Sequence, residues 1–114
     1  MITETKTRVV EPGITVFEIA GRLNLGNMLQ SVETSIRDLI IKDGVRKMVI
    51  DLAELKAIDS SGIGMLIASS GQMDKNGGQL RIAGAPGGVA KIFEMVHMHR
   101  IIRPIFVAYW SRCG

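Results

Sequence analysis

Short apolar segments rich in β-branched residues alternate with segments of helical periodicity along almost the whole chain. Segments of the first kind, such as 46–52 and 79–83, are typical of buried strands. The predicted strands are 2–10, 14–20, 46–52, 79–83 and 101–108, and the predicted helices are 27–42, 61–75 and 88–98. Because strands joined through a helix run parallel, this order predicts an α/β fold. We expect a mixed, mostly parallel sheet of about five strands with three helices packed on it.

The length of the chain, 114 residues, is that of one domain. We therefore predict a single domain over residues 1–114, in which 108–114 form a short C-terminal tail. Pro104 lies inside the last predicted strand and has no amide hydrogen for a ladder. That strand is therefore expected at an edge of the sheet or broken at Pro104.

Each predicted helix has an apolar stripe that indicates which side chains enter the core. The first stripe begins with Leu25, and Asn27 with Gln30 resembles a capping box at the helix start. Gly44 suits the left-handed position that ends this helix. The positions expected to face inward are Leu29, Val32, Ile36, Leu39 and Ile40, then Ile63, Leu66, Ile67 and Ser70, then Val89, Ile92, Phe93 and Val96.

The charge and hydropathy of the chain bear on whether it binds nucleic acid or enters a membrane. The net charge is +3 and aromatic residues make up 4% of the chain. The basic residues are scattered, and the densest group is His97, His99, Arg100 and Arg103. Nucleic-acid sites usually combine a denser basic stripe with stacking aromatics, so we predict no nucleic-acid partner. No apolar run reaches the ~20 residues of a membrane helix, and the N-terminus does not resemble a signal peptide. We predict a cytoplasmic protein without membrane insertion.

Motifs for cofactors and metals are incomplete. Cys113 is the single cysteine, and neither it nor the pair His97 and His99 has the partners of a metal site. The glycines of Gly62-Ile63-Gly64 are followed by Ile67 where a dinucleotide fingerprint has a small residue. The glycine-rich segment 84–91 does not fit the spacing of a P-loop. We expect neither a cofactor nor a metal.

The most informative segment runs from the strand 46–52 into Asp59-Ser60-Ser61-Gly62 at the start of a helix. Asp and Ser side chains accept hydrogen bonds from free amides at a helix start, which also favours negative charge. Gly62 and Gly64 would leave the helix backbone open to a partner or to a phosphate. The residues alone leave a second interpretation open, in which Asp59 and Ser60 only cap the helix and the glycines permit tight packing.

The wider pattern resembles the STAS family, the fold of bacterial anti-sigma factor antagonists. The resemblance rests on Asp51-Leu52, on Ile58, and on Asp59-Ser60-Ser61-Gly62-Ile63-Gly64. It continues through Asn76-Gly77-Gly78 and covers roughly residues 8–103.

The resemblance implies a protein-binding switch. In antagonists of this type the unmodified protein binds an anti-sigma factor kinase and thereby frees a sigma factor. The kinase phosphorylates the first serine of the motif, here Ser60 with Ser61 as the alternative, and a PP2C-type phosphatase resets it. The chain would be a substrate rather than an enzyme, with no catalytic residue of its own. The residues expected to contact the partner are Asn24, Asp59, Ser61, Gly62 and Ile63.

The chain departs from the family pattern at two places. After the second strand the family usually has Gly-Glu-Leu-Asp, whereas this chain has Gly21-Arg22-Leu23-Asn24. The loss of two acidic groups implies a different choice of partner. It also favours an alternative function, as a non-catalytic scaffold or accessory subunit of a stress-signalling or lipid-transport complex. At the C-terminus, Tyr109 and Trp110 either cover the core or form the edge of a homodimer.

Overall fold

The computed structural model describes residues 3–10 and 13–105. Within these ranges the chain forms six strands, three α-helices and one short 3₁₀ helix. In chain order they are β1 Glu4–Val10, β2 Ile14–Leu23, α1 Asn27–Ile41, β3 Lys47–Asp51, β4 Leu55–Ile58, α2 Ser60–Lys75, β5 Gln79–Ala83, α3 Gly87–Met95, the 3₁₀ helix Met98–Arg100, and β6 Pro104–Ile105.

Five of the strands form one continuous sheet in the order β1-β2-β3-β5-β6. β1 and β2 make an antiparallel hairpin, while β2 with β3, β3 with β5, and β5 with β6 are parallel. Each parallel pair is connected through a helix, which is the connection that parallel neighbours require. The predicted α/β fold, with three helices on a mixed and mostly parallel sheet, is confirmed.

The strand β4 is absent from the sequence prediction, and β2 is three residues longer than predicted. β2 runs beside β3 up to Glu18 and then beside β4, with which Arg22 and Leu23 pair. The register shifts between Gly21 and Arg22, and Gly21 has a φ of 95°. The extra residue of this irregularity is Lys56 on β4, and β2 continues through Gly21, which was expected to follow the strand.

The two faces of the sheet carry two separate apolar clusters. Phe17 and Ile50 belong to the larger cluster, which includes the buried side chains of all three helices. On the opposite face Val16, Val49 and Ala83 form a smaller cluster. The division follows from the strands themselves, because successive side chains of a strand, such as Val16 and Phe17, point to opposite faces of the sheet.

The inward face of α1 and its predicted start at residue 27 are confirmed, but the expected capping box is wrong. Val32, Ile36 and Ile40 are each at most 2% exposed. The N-cap is Gly26, so Asn27 is already the first helical residue and cannot act as the cap of the expected capping box. Gly44 has a φ of 68°, as expected for the left-handed residue after a helix.

The inward face predicted for α2 is confirmed, because Leu66 and Ser70 are buried and the partly buried Ile63 and Ile67 pack against the core. In α3 Val89 and Phe93 are buried as predicted. Val96 was expected in the core, but it is 44% exposed.

The end of α3 explains the error at Val96. The predicted helix 88–98 actually ends at Met95, and His97 adopts the left-handed conformation with a φ of 55°. This turn redirects the chain, so Met98 and not Val96 is buried in the core. A left-handed residue other than glycine or asparagine is uncommon at a helix end, and the sequence contains no local sign of it.

The last strand begins at Pro104, three residues later than its prediction of 101–108. The described part is Pro104–Ile105, whose residues pair with Ile82 and Ala83 at an edge of the sheet. Among the described residues β6 is thus an edge strand, which is one of the two expectations drawn from Pro104. The end of the predicted strand, the tail 108–114, and the interpretations of Tyr109, Trp110 and Cys113 lie outside the described residues.

Candidate functional site

The site is built where β2 and β4 end side by side. Leu23, the last residue of β2, pairs with Ile58, the last residue of β4. The next residue, Asp59, donates its amide to the Leu23 carbonyl oxygen over 3.3 Å. The loop between β2 and α1, residues 24–26, therefore lies against the start of α2.

Asp59 connects these two segments through its side chain. One carboxylate oxygen accepts the Gly62 amide at 3.0 Å, which makes Asp59 the N-cap of α2. The other oxygen accepts the Leu25 amide at 3.1 Å. A single carboxylate thus holds both the helix start and the neighbouring loop. We call this arrangement the Asp59 clamp.

The clamp explains the ionisation of Asp59. The Leu25 amide, followed by the Gly62 amide, holds the pKa of the Asp59 carboxyl below its ordinary value of 3.8. Hydrogen bonds donated to a carboxylate favour its charged form, and they outweigh the opposing effect of partial desolvation. Asp59 is therefore negatively charged over the physiological pH range.

Ser60 is the first residue of α2 and its side chain is exposed, while Ser61 is partly exposed. At the first turn of a helix several backbone amides lack partners within the helix, and the helix dipole favours an anion. The geometry therefore leaves the Ser60 hydroxyl accessible to an incoming enzyme. It also places the hydroxyl at the positive end of the helix dipole, next to the Asp59 carboxylate that accepts the Gly62 amide.

The two glycines of the motif have different environments. Gly62 is buried, and a Cβ at this position would clash with the Leu23 carbonyl oxygen and come within 2.7 Å of Ile58 Cγ1. The expectation that its backbone is open to a partner is wrong in this respect, because β2 already occupies the space. Gly64 is exposed, and a Cβ added there would meet no atom within 4 Å, so the open helix surface begins at this residue.

The structure brings together most of the residues that the resemblance pointed to. Asn24 is exposed beside the clamp, and Ile63 is partly buried one turn from Asp59, whose carbonyl accepts its amide at 3.0 Å. Whether these side chains contact a partner remains a prediction.

Leu25 is a residue that the sequence interpretation placed wrongly. It was expected to lead into the apolar stripe of α1, four positions before Leu29, yet it is 80% exposed. Because α1 starts only at Asn27, the spacing of a helix does not apply to Leu25. Its amide is held by the Asp59 clamp, a contact between distant parts of the sequence.

Other motifs remain outside this site. The rings of His97 and His99 lie 6.2 Å apart, centroid to centroid, and both residues are exposed. In the part of the chain that the structure describes, no three His, Cys, Asp or Glu side chains come together as metal ligands. An apolar cavity of about 380 Å³ between α3, β5 and β6 is lined by Ile82, Phe93, Met98 and Ile102 among others, and by none of the motif residues.

Across the described ranges, none of the helices combines the length and apolar character needed to cross a bilayer.

Comparison with known proteins identifies the fold independently. An anti-sigma factor antagonist from Mycobacterium paratuberculosis is 18% identical, with a TM-score of 0.74 over 90% of this chain and 85% of that one. The Bacillus cell fate determinant SpoIIAA in its phosphorylated form is 16% identical, with a TM-score of 0.70 over 90% and 91%. A sulfate transporter family protein from Wolinella succinogenes is 17% identical, with a TM-score of 0.68 over 87% and 80%. At such identities these likenesses establish the fold alone.

The family model of the STAS domain matches residues 5–109, which include both strands of the site and the complete Asp59-Ser60-Ser61-Gly62 segment. The matched residues cover all the strands and helices described above except the first residue of β1. This chain belongs to the STAS domain family.

Proposed function

We propose that this chain is an anti-sigma factor antagonist that is switched by phosphorylation of Ser60. In the unmodified form it binds an anti-sigma factor with serine kinase activity and releases a sigma factor. Phosphorylation of Ser60 ends the binding, and a PP2C-type phosphatase restores it. The observation that carries the proposal is the exposed Ser60 at the first position of α2, directly after the capping Asp59.

The chemistry of the site supports this switch. A phosphate adds roughly −1.5 to −2 charges next to a carboxylate that is already ionised. On a surface that docks a partner closely, this change adds bulk, desolvation cost and repulsion of acidic groups. The similar fold of SpoIIAA, whose structure is known in a phosphorylated form, agrees with the proposal. In this role Ser60 is the substrate of another enzyme, and the chain acts by binding in the cytoplasm.

The first test is phosphopeptide mass spectrometry of the protein purified from its native host during growth and under stress. We expect phosphate on Ser60, with Ser61 as the alternative acceptor. Protein that stays unmodified under every condition would contradict the switch.

The second test is calorimetric titration with a purified anti-sigma kinase from the same host. Ser60→Asp should weaken binding by at least about tenfold, since it puts charge into the interface. Ser35→Asp is the matched control, because Ser35 is exposed on α1 and receives the same charge. Equal affinities for wild type and Ser60→Asp would refute the switch. Ser61→Asp distinguishes the two serines.

Asn24 is the residue through which partner choice can be tested. It is exposed beside the clamp, where the family pattern usually has an aspartate. Asn24→Asp should change the set of proteins recovered in a pull-down while leaving the denaturation midpoint nearly unchanged. An identical set would count against a role in recognition.

A second candidate is a constitutive scaffold or accessory subunit of a stress-signalling or lipid-transport complex. The observation that favours it is the exposed, non-acidic pair Arg22 and Asn24, on the end of β2 that pairs with β4 and on the loop that follows it. A sulfate transporter family protein with a similar fold is consistent with such a role. This candidate predicts unmodified Ser60 and a partner that tolerates Ser60→Asp.

A further inference from the structure

The chain between α3 and β6 makes a turn that the proposed function does not use. We call residues 95–103 the α3–β6 turn, and they include the densest basic group of the sequence. Two buried side chains anchor the turn, Met98 at 2% and Ile102 at 1% exposure. The Met98 carbonyl accepts the Ile101 amide at 2.9 Å and the Ile102 amide at 2.8 Å. The turn is therefore held in place, while its other seven side chains are all exposed.

Three of these exposed side chains are apolar. Met95 is 75% exposed, Ile101 is 49% exposed and Val96 is 44% exposed. One exposed apolar side chain is ordinary on a protein surface, but these three lie within seven consecutive residues. His97, which lies between them, adopts the left-handed conformation, and the chain direction changes there. The turn therefore presents a small apolar surface to solvent.

The other four exposed side chains of the turn are basic. They are His97, His99, Arg100 and Arg103. Neither arginine forms an ion pair with another described residue. Two carboxylates lie close to this group. Glu94 lines the apolar cavity beside α3 together with His99, and Asp74 lines a cleft that Arg81 and Arg103 share.

The end of the molecule that contains the turn has a net positive charge. Because α3 runs back against the parallel strands, the turn lies where those strands begin, whereas Ser60 lies where β2 and β4 end. The cations described at the turn's end of the molecule are Lys42, Arg46, Lys47, Lys75, Arg100 and Arg103. The carboxylates described there are Asp38, Asp43, Asp74 and Glu94. Six cations and four carboxylates give a net charge of +2 when both histidines are neutral.

The Ser60 end has the opposite balance. A groove among the strand ends there is lined by four carboxylates and by a single cation, Lys6. The carboxylates are Glu4, Glu18, Asp51 and Glu54. Charge is thus distributed unequally along the direction of the strands. An anionic surface would attract the α3–β6 turn and repel the opposite end, so that Ser60 would face away from that surface.

From these observations we propose that the α3–β6 turn binds the surface of a bilayer that contains anionic phospholipids. Met95, Val96 and Ile101 enter the headgroup layer, and Arg100 and Arg103 bind lipid phosphates. Apolar side chains interleaved with cations are typical of segments that lie at a membrane surface, and each cation near an anionic leaflet adds attraction. The contact is peripheral and needs no membrane-spanning helix.

Other anionic partners fit the turn less well. Single-stranded nucleic acids bind where aromatic rings stack on their bases, and the rings of the turn are those of two histidines. A specific protein interface engages roughly 20 to 30 residues of each partner, whereas nine residues carry the features described here. A bilayer accepts so small a surface because lipids rearrange around the side chains that enter it.

The test is co-sedimentation of the purified full-length chain with lipid vesicles. Binding to vesicles of equal parts phosphatidylcholine and phosphatidylglycerol should be at least about tenfold tighter than binding to phosphatidylcholine alone. Added salt should weaken the binding, because salt screens the attraction. Equal affinity for the two kinds of vesicle, or binding to neither, would overturn the inference.

Charge reversal locates the contact on the molecule. Arg100→Glu with Arg103→Glu should weaken binding to the anionic vesicles by at least about tenfold. Lys6→Glu with Lys56→Glu is the matched control, since both lysines are exposed on other strands and the net charge changes equally. This control should change the affinity by less than about twofold, because its charges lie far from the turn. Equal losses from the two pairs would contradict a contact at the turn.

The apolar contribution has its own matched pair. Met95→Ser with Ile101→Ser should weaken vesicle binding by about tenfold. Val9→Ser with Met28→Ser is the control, because these side chains are 73% and 46% exposed but lie on β1 and α1. Denaturation midpoints of all variants check that each remains folded. A loss in the control as large as that in the turn would show that the turn has no special contact with lipid.

A competition assay separates lipid from nucleic acid. Duplex DNA added to the vesicles should leave the bound fraction unchanged. Displacement by DNA that depends on Arg100 and Arg103 would assign the turn to nucleic acid and overturn the inference. The assay contains neither a kinase nor a phosphatase, so vesicle binding and the phosphorylation of Ser60 can succeed or fail separately. The inference therefore goes beyond the proposed function and does not depend on it.

Discussion

Helices α2 and α3 follow parallel strands and contain glycines in their first turns, yet they are fixed in different ways. α2 starts at the side-chain cap Asp59, which also holds the β2–α1 loop, whereas α3 starts after Pro86 with no side-chain cap. At the other end, α2 is followed by left-handed Gly77 and α3 by left-handed His97. In α2, the helix that presents Ser60, a side-chain cap fixes the first turn and a left-handed glycine follows the last turn. The comparison with α3 shows that the Asp59-Ser60-Ser61-Gly62 segment stabilises the helix start and also exposes a serine.

The largest expected effect comes from the glycine that packs beneath β2. Gly62→Ala should destabilise the protein by about 3 kcal/mol, because its Cβ would meet a backbone carbonyl and Ile58. Gly88→Ala in α3 is the matched control, since a Cβ there meets nothing within 4 Å. That change should be neutral or stabilise by up to about 1 kcal/mol. Urea denaturation measures the change in the free energy of unfolding for both variants. Equal changes would contradict the difference in packing between the two helix starts.

The next effect concerns the clamp itself. Asp59→Ala removes the acceptor of the Leu25 and Gly62 amides, so both should exchange with solvent faster by about tenfold. Pro86→Ala should leave amide exchange in α3 nearly unchanged, because Pro86 makes no side-chain cap. Amide exchange followed by NMR measures both. Acceleration at Gly62 without acceleration at Leu25 would show that Asp59 caps α2 but does not hold the loop.

A smaller effect is expected at the end of α3. His97→Gly should stabilise the protein by about 1 kcal/mol, because glycine adopts the left-handed conformation without the steric cost that His97 carries. His97→Ala keeps that cost and loses the ring contact with His99, so it serves as the control and should not stabilise. If His97→Ala also stabilises the protein, the gain in stability comes from removal of the imidazole and not from the backbone conformation. Thermal and urea denaturation would both detect the change.

The smallest effect is the pH dependence contributed by Asp59. Its pKa is lower in the folded protein than its ordinary value of 3.8, so ionised Asp59 contributes stability above that value. This contribution is lost as the pH falls through the folded pKa. The difference in denaturation midpoint between wild type and Asp59→Asn should therefore shrink as the pH falls below about 5 and through the folded pKa. A difference that grows with acidification would show that the sign of the shift is wrong.

Much of the fold could be predicted because its elements carry local periodicity. The residue pattern alone predicts the strand β3, which contains apolar Met48, Val49 and Ile50. It also predicts the apolar stripe of α1. β4 was missed because four residues are too few for a period to show, and a bulge interrupts its pairing with β2. The end of α3 was missed because a left-handed histidine has no local signature.

The sequence by itself determined the α/β class, the family, and the serine at a helix start. These depend on short-range periodicity and on a contiguous motif, which a linear pattern contains. Only the tertiary structure decided that Gly62 is packed beneath Leu23, that Asp59 reaches across to Leu25, and that Leu25 faces solvent. Asp59 and Leu25 are 34 positions apart in the sequence, and Gly62 and Leu23 are 39 positions apart. They arise because β4 aligns with the end of β2, and that pairing exists only once the sheet has formed.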